Sequence, residues 1–189
     1  MISKTILQQA NQFALSEIEK YQVPSKFHLE LANNKGQILS QKLKANESIV
    51  YLGTTLMDCG LGEVFSKGNL KEHINTGVTK TKNFLDSFSE LSRREKENIL
   101  ACVSEHHGVP KFFSLESEIC CNSDCYRFVS VEGVLGGIIN GRKMELENMV
   151  KLYLQKADEK WNALSLDICR KELRTQYKSI KEFLTFFIK

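Results

Sequence analysis

Proline is nearly missing from this chain: Pro24 and Pro110 are the two examples in 189 residues. Neither interrupts a periodic segment, so the commonest internal obstacle to long helices is gone. Long apolar runs are missing as well. The longest, around Val131–Ile139 and Phe183–Ile188, fall well short of the roughly 20 residues that cross a bilayer. The N-terminal MISKTILQQANQF has no apolar core of a signal peptide. A soluble cytoplasmic protein with no membrane partner is the expectation. Charge of one sign is not concentrated anywhere. The 26 basic and 23 acidic residues leave a net +3, with no Lys/Arg run dense enough to read as a nucleic-acid surface. The six cysteines (Cys59, Cys102, Cys120, Cys121, Cys125 and Cys169) contain no paired CxxC spacing of a zinc site. Buried reduced thiols are expected. The Gly133–Gly137 stretch lacks the Lys-Ser/Thr of a phosphate loop, and no Ser-His-Asp or Cys-His arrangement has supporting context.

What is present is helical periodicity in a chain that is 42% hydrophobic and 26% charged, enough apolar material for one domain. Ile6, Ala10, Phe13, Ile18 and Tyr21 predict a helix over 3–21. Ser25 caps a second, to about Leu43, with Phe27, Leu31, Ile38 and Leu39 inward. Residues 47–59 (ESIVYLGTTLMDC) are apolar nearly all round, as in a central buried helix. Gly60, Gly62 and Gly68 predict a loop. Asn69 is a candidate cap for a helix to about Phe88, and Ser92-Arg-Arg-Glu95 is a capping box for the next, towards His106. Gly108 and Pro110 end that helix. Further helices are expected over 115–128, 143–163 and 166–188. The last is capped by Ser165, with Leu173, Tyr177, Ile180 and Phe187 inward. The glycines at 133, 136, 137 and 141 suggest a looser, turn-containing stretch. No alternating strand, repeat, low-complexity segment or linker interrupts the pattern. An all-α bundle of about seven to eight helices follows.

The four histidines carry the chemical interest. His28 lies in the second helix, His73 opens the fourth, and His106 and His107 close the fifth. Asp58 ends the third helix and Asp124 lies in the sixth. Imidazole and carboxylate together suit divalent transition metals, and bundles build such sites from inward side chains on facing helices. Spacing alone leaves open whether these groups converge or are ordinary surface and core residues. Arg127, three residues after Asp124, shares nearly the same helical face. It could clamp a substrate phosphate or be an exposed structural arginine. Lys67 reads as a solvated loop lysine.

In order, His28, L-M-D-C-G (56–60), E-H-I-N-T-G (72–77), E-H-H-G (105–108) and N-S-D-C-Y-R-F (122–128) resemble the HD domain, a metal-dependent phosphohydrolase-like superfamily. The resemblance covers about residues 25–130, with a helical extension over 131–189, within one domain of 189 residues. All four histidines fall on family positions. The resemblance implies His28, Asp58, His73, His106, His107 and Asp124 as ligands of one or two divalent ions (Mn, Fe, Ni, Co, Zn or Mg), with Asp58 bridging. It also implies Asp58 and Arg127 as catalytic residues. One position departs: where the family has His-Asp, this chain has Met57-Asp58, and a soft thioether is a poor ligand for such ions. The first metal position is thereby weakened to His28, Asp58 and Asp124, while the second keeps Asp58, His73, His106 and His107. A histidine restored at 57 is expected to tighten binding at the first position.

The implied function is hydrolysis of a phosphoester in a small phosphorylated molecule, nucleotides included, by a metal-activated water. Met57 supports an alternative, a non-catalytic HD domain that binds metal or a nucleotide as a regulator. The superfamily also includes di-iron oxygenases.

Overall fold

The computed structural model of the protein describes residues 2–140 and 144–188, and every described regular element is helical. In chain order these are α1 (Lys4–Tyr21), α2 (Lys26–Leu43), α3 (Glu47–Leu56), α4 (Leu61–Ser66), a 3-10 turn (Leu70–Glu72), α5 (His73–Asp86), α6 (Arg93–Ser104), α7 (Leu115–Val129), α8 (Val131–Asn140), α9 (Leu146–Ala163) and α10 (Asp167–Ile188). Among the described residues no helix is long and apolar enough to cross a membrane.

Local chemistry sets many of the boundaries. The hydroxyls of Ser3 and Ser25 accept from Ile6 and His28 backbone N–H groups, and Asn46 caps α3 through Ser48 and Ile49. Ser92 and Glu95 form the reciprocal capping box expected of that sequence, which satisfies two helix-end donors at once. α3 is the central element. Ile49, Val50, Leu52, Thr54, Thr55 and Leu56 are buried, and the helix packs against α1, α2, α6 and α7. All six cysteines are buried free thiols, as expected. A second, smaller apolar cluster joins Val134 of α8, Met149, Val150 and Tyr153 of α9, and Ile180 and Leu184 of α10.

Several expectations need correction. Ten α-helices are described against seven to eight expected. The excess is α4 and α8, two short helices in glycine-bearing stretches read as loop and turn. In α4 the inward Val64 outweighs the helix-weakening effect of Gly62. In α8 the glycines serve close approach. A Cβ at Gly133 would lie 2.2 Å from the Tyr126 carbonyl oxygen, and one at Gly137 would lie 1.5 Å from the Tyr153 hydroxyl. Gly141, and the expected start of the next helix at 143, lie outside the described residues. α3 ends at Leu56, and Met57–Gly60 form the turn that follows. α5 begins at His73, because the 3-10 turn precedes it and Asn69 makes no side-chain cap bond. Ser165 also does not act as the expected cap. Its hydroxyl accepts from Asn122, whose carboxamide oxygen takes the N–H groups of Ser165 and Leu166. Ile38 and Phe187 are 39% and 50% exposed, since the helix faces that carry them have no neighbour there.

The tight crossing of α8 over α7 gives a test. Gly133→Ala should destabilise the protein by about 1–3 kcal/mol, because its new methyl group meets α7 backbone that cannot move aside. At Gly136 the obstacle is the partly exposed Phe27 ring, which can swing away, so Gly136→Ala should cost less. Urea unfolding of the two variants checks the order, and equal losses would show that α8 does not seat on α7 in this way.

Candidate functional site

The turn after α3, the start of α5, the end of α6 and the inner faces of α2, α7 and α9 meet around one polar cluster. Asp58 sits two residues beyond α3. Asp124 and Arg127 lie one helical turn apart on α7, and His28 projects from α2. On α9 the buried stripe of Tyr153, Ala157 and Lys160 runs down the same side. All six proposed ligand residues border this cluster, but in two different environments.

In the first, positive protein groups hold the carboxylates. Arg127 Nη1 donates to Asp58 Oδ2 and, at 2.7 Å, to Asp124 Oδ1. Lys160 Nζ lies 2.5 Å from Asp124 Oδ2. Neither of those two atoms has a hydrogen bond of good angle, so this contact is one of charge. Arg127 Nη2 is 3.4 Å from His28 Nδ1, and the Tyr153 hydroxyl is 3.3 Å from His28 Nε2. Burial opposes charge on every member. Even so, Arg127 and His106 beside Asp58 hold its carboxyl below the usual range, and Lys160 and Arg127 do the same for Asp124. The carboxylates in turn keep Arg127 and Lys160 protonated. Arg127 is therefore a buried ion-pair residue, 5% exposed, rather than an exposed one. Met57 is buried and lines a cavity of about 10 Å³ together with His28, Asp58 and Arg127, so it faces the first of the two environments.

The second environment is made of imidazoles. One ligand atom each from His73, His106 and His107 lies within 4.8 Å of the others. His106 Nδ1 contacts the Val103 carbonyl at 2.6 Å and His73 Nδ1 the Leu70 carbonyl at 3.1 Å, each ring folding back on the backbone three residues earlier. A carbonyl can only accept, so both rings carry hydrogen on Nδ1, and each leaves Nε2 as the nitrogen outside that bond. His106 Nε2 is buried with no hydrogen-bond partner and lies 3.7 Å from Asp58 Oδ1. Burial lowers the basicity of His106 and holds His107 at about 3, so both rings are neutral near pH 7. The lone pair of His106 Nε2 and a carboxylate oxygen of Asp58 thus face each other with no proton between them, with the His73 and His107 rings alongside. That donor set suits a divalent cation. His107 Nδ1 also lies 3.7 Å from Glu159 Oε1.

Beside both environments opens a cleft of about 570 Å³, lined by His73 and His107, by Asp58, Asp124, Arg127 and Lys160, by Lys71 and Lys156, and by the apolar Phe65, Leu70, Phe128 and Leu152. Lys67, whose ammonium is 2.7 Å from Glu63, is the surface residue expected. Sequence reasoning missed Lys160, Tyr153 and Glu159. A readable signal existed for Lys160: it continues the apolar stripe Met149, Tyr153, Ala157 and Leu164 at helical spacing, where a lysine requires a buried counter-ion.

Burial, then the Arg127 charge, lower the His28 pKa from 6.5 to about 3. Between those values the unfolded chain takes up a proton at His28 that the folded chain does not, so stability falls with pH across this window. With chelator present, urea stability should decline from pH 6.5 towards 4, and His28→Gln should make that decline shallower. An unchanged slope in the variant would show that His28 is not held neutral against Arg127.

No family model matches the chain and no curated protein matches it. Solved structures do. A protein from Lactobacillus plantarum superposes with a TM-score of 0.71 at 15% identity, over 99% of this chain and 97% of the other. A predicted HD superfamily hydrolase from an uncultured Thermotogales bacterium superposes with a TM-score of 0.68 at 12% identity, over 96% and 90%. Along nearly its whole length, the chain shares the all-helical fold of these two structures.

Proposed function

We propose that the protein is a metal-dependent hydrolase of phosphoesters in small molecules, nucleotides among them. The observation that carries this reading is the unpartnered lone pair of His106 Nε2, buried beside Asp58 Oδ1 and next to His73 and His107. Nε2 of His73, Nε2 of His106 and a ring nitrogen of His107 would hold the ion, with Asp58 Oδ1 beside them. A bound divalent ion supplies Lewis acidity to phosphoryl oxygens and makes its water acidic enough to ionise near neutral pH.

The chain's own groups do the rest. Asp58 is fixed through Oδ2 by Arg127, which leaves Oδ1 to orient the attacking water by accepting one of its protons. Arg127 is a positioning residue in this scheme, since its Nη groups are engaged by Asp58, Asp124 and His28. Lys71 and Lys156 at the cleft edge attract the phosphate, while Phe65, Leu70 and Leu152 offer apolar surface to the rest of the substrate. Glu159 lies beside His107 and accepts from Lys156 at 2.7 Å, which fixes that lysine at the rim.

The protein loaded with Mn²⁺ or Ni²⁺ should hydrolyse p-nitrophenyl phosphate or its bis-ester. His106→Ala should lower metal affinity by more than about tenfold, since it removes a buried ligand with its carbonyl-fixed tautomer. Lys71→Ala should raise KM and leave bound metal unchanged. Retention of full metal content by His106→Ala, or metal-loaded protein that cleaves neither ester, would overturn the reading.

A further inference from the structure

We infer that the chain binds a single divalent ion, at the three histidines, and that Arg127 and Lys160 take the place of the other ion at the Asp58–Asp124 pair. This rests on the reading that His73, His106 and His107 hold metal. The argument comes from counting lone pairs and charges. An ion at the first position needs His28, Asp58 and Asp124 to turn free donor atoms towards it. Asp58 Oδ2 and Asp124 Oδ1 both accept from Arg127 Nη1, and Asp124 Oδ2 is against Lys160 Nζ. His28 Nδ1 faces Arg127 Nη2, and its Nε2 faces the Tyr153 hydroxyl. Asp58 Oδ1 is the remaining carboxylate oxygen of the pair, and it points at His106 Nε2. The two negative charges already meet two positive ones, so a further doubly charged ion there would be repelled rather than neutralised.

Space agrees with charge. The cavity that His28, Met57, Asp58 and Arg127 share is about 10 Å³, about the space one water requires and too little for an ion with its own solvent ligands. Both Lys160 and Arg127 are buried, at 1% and 5% exposure, and each reaches the inner lining of the cleft beside the histidines with its charge held by Asp124. Met57 then has a physical reason. With a guanidinium filling the first position, an imidazole at 57 would have no cation to coordinate, and a thioether packs there without a polar group to satisfy. The expectation that histidine at 57 tightens metal binding is therefore replaced by one of unchanged binding.

Equilibrium dialysis against Mn²⁺, with metal counted per chain by mass spectrometry, tests this without reference to turnover. Wild-type protein should hold one ion. His28→Ala and Met57→His should also hold one, whereas His73→Ala should lose it. Lys160→Met combined with Met57→His should admit a second ion if it folds. Two ions in wild-type protein, a second ion gained by Met57→His alone, or loss of the ion in His28→Ala would each overturn the inference. One ion per chain without cleavage of either ester would overturn the proposed activity and leave this inference standing. No ion in wild-type protein would overturn both.

Discussion

The guanidinium of Arg127 is the interaction around which the centre of this protein is arranged. From α7 it reaches Asp58 at the end of α3, Asp124 one turn earlier on its own helix, and His28 on α2. A carboxylate buried alone would lose its hydration with nothing in return, and so would a buried guanidinium. Here each is stable inside because the other is present. Lys160 completes the balance from α9, which ties the helical extension to the motif-bearing helices by charge as well as by packing. The glycines of α8 belong to the same constraint. Gly133 lets that helix lie on the backbone of Tyr126 and Arg127, and Gly137 lets it pass close to Tyr153 and His28.

That balance divides the polar cluster into a charge-paired half and a histidine half. On the Arg127 side both carboxylates meet cations and both His28 nitrogens face polar neighbours, while Asp124 Oδ2, Lys160 Nζ and Arg127 Nε make no hydrogen bond. On the histidine side, His106 Nε2 makes no hydrogen bond, and the Val103 carbonyl holds the tautomer that aims its lone pair inward. The cleft borders both halves, and Lys71 and Lys156 add positive charge to its lining.

The neighbours in fold are far away in sequence, at 15% and 12% identity, and still align along almost the full chain. Buried stripes and caps determine helical folds, and many sequences satisfy the same pattern. The chemistry of each site then depends on a few polar positions. Arg127 and Lys160 are such positions here.

The sequence by itself determined the helical class, most helix spans, the capping boundary at Ser92 and the buried thiols, while the grouping of three histidines with Asp58 followed from the order of motifs in the resemblance. Those features depend on period and cap chemistry, which act over a few residues, or on motif order. It did not determine the short helices α4 and α8, because glycine there serves contact between helices distant in sequence. Nor did it reveal that Arg127 is buried and held by two carboxylates, or that Lys160 faces Asp124 from 36 residues further along the chain. A charge on a helix looks the same in sequence whether it meets water or a buried partner. Only the packing of α9 against α7 brings Lys160 to Asp124, and the loss of water around both is what fixes their charges.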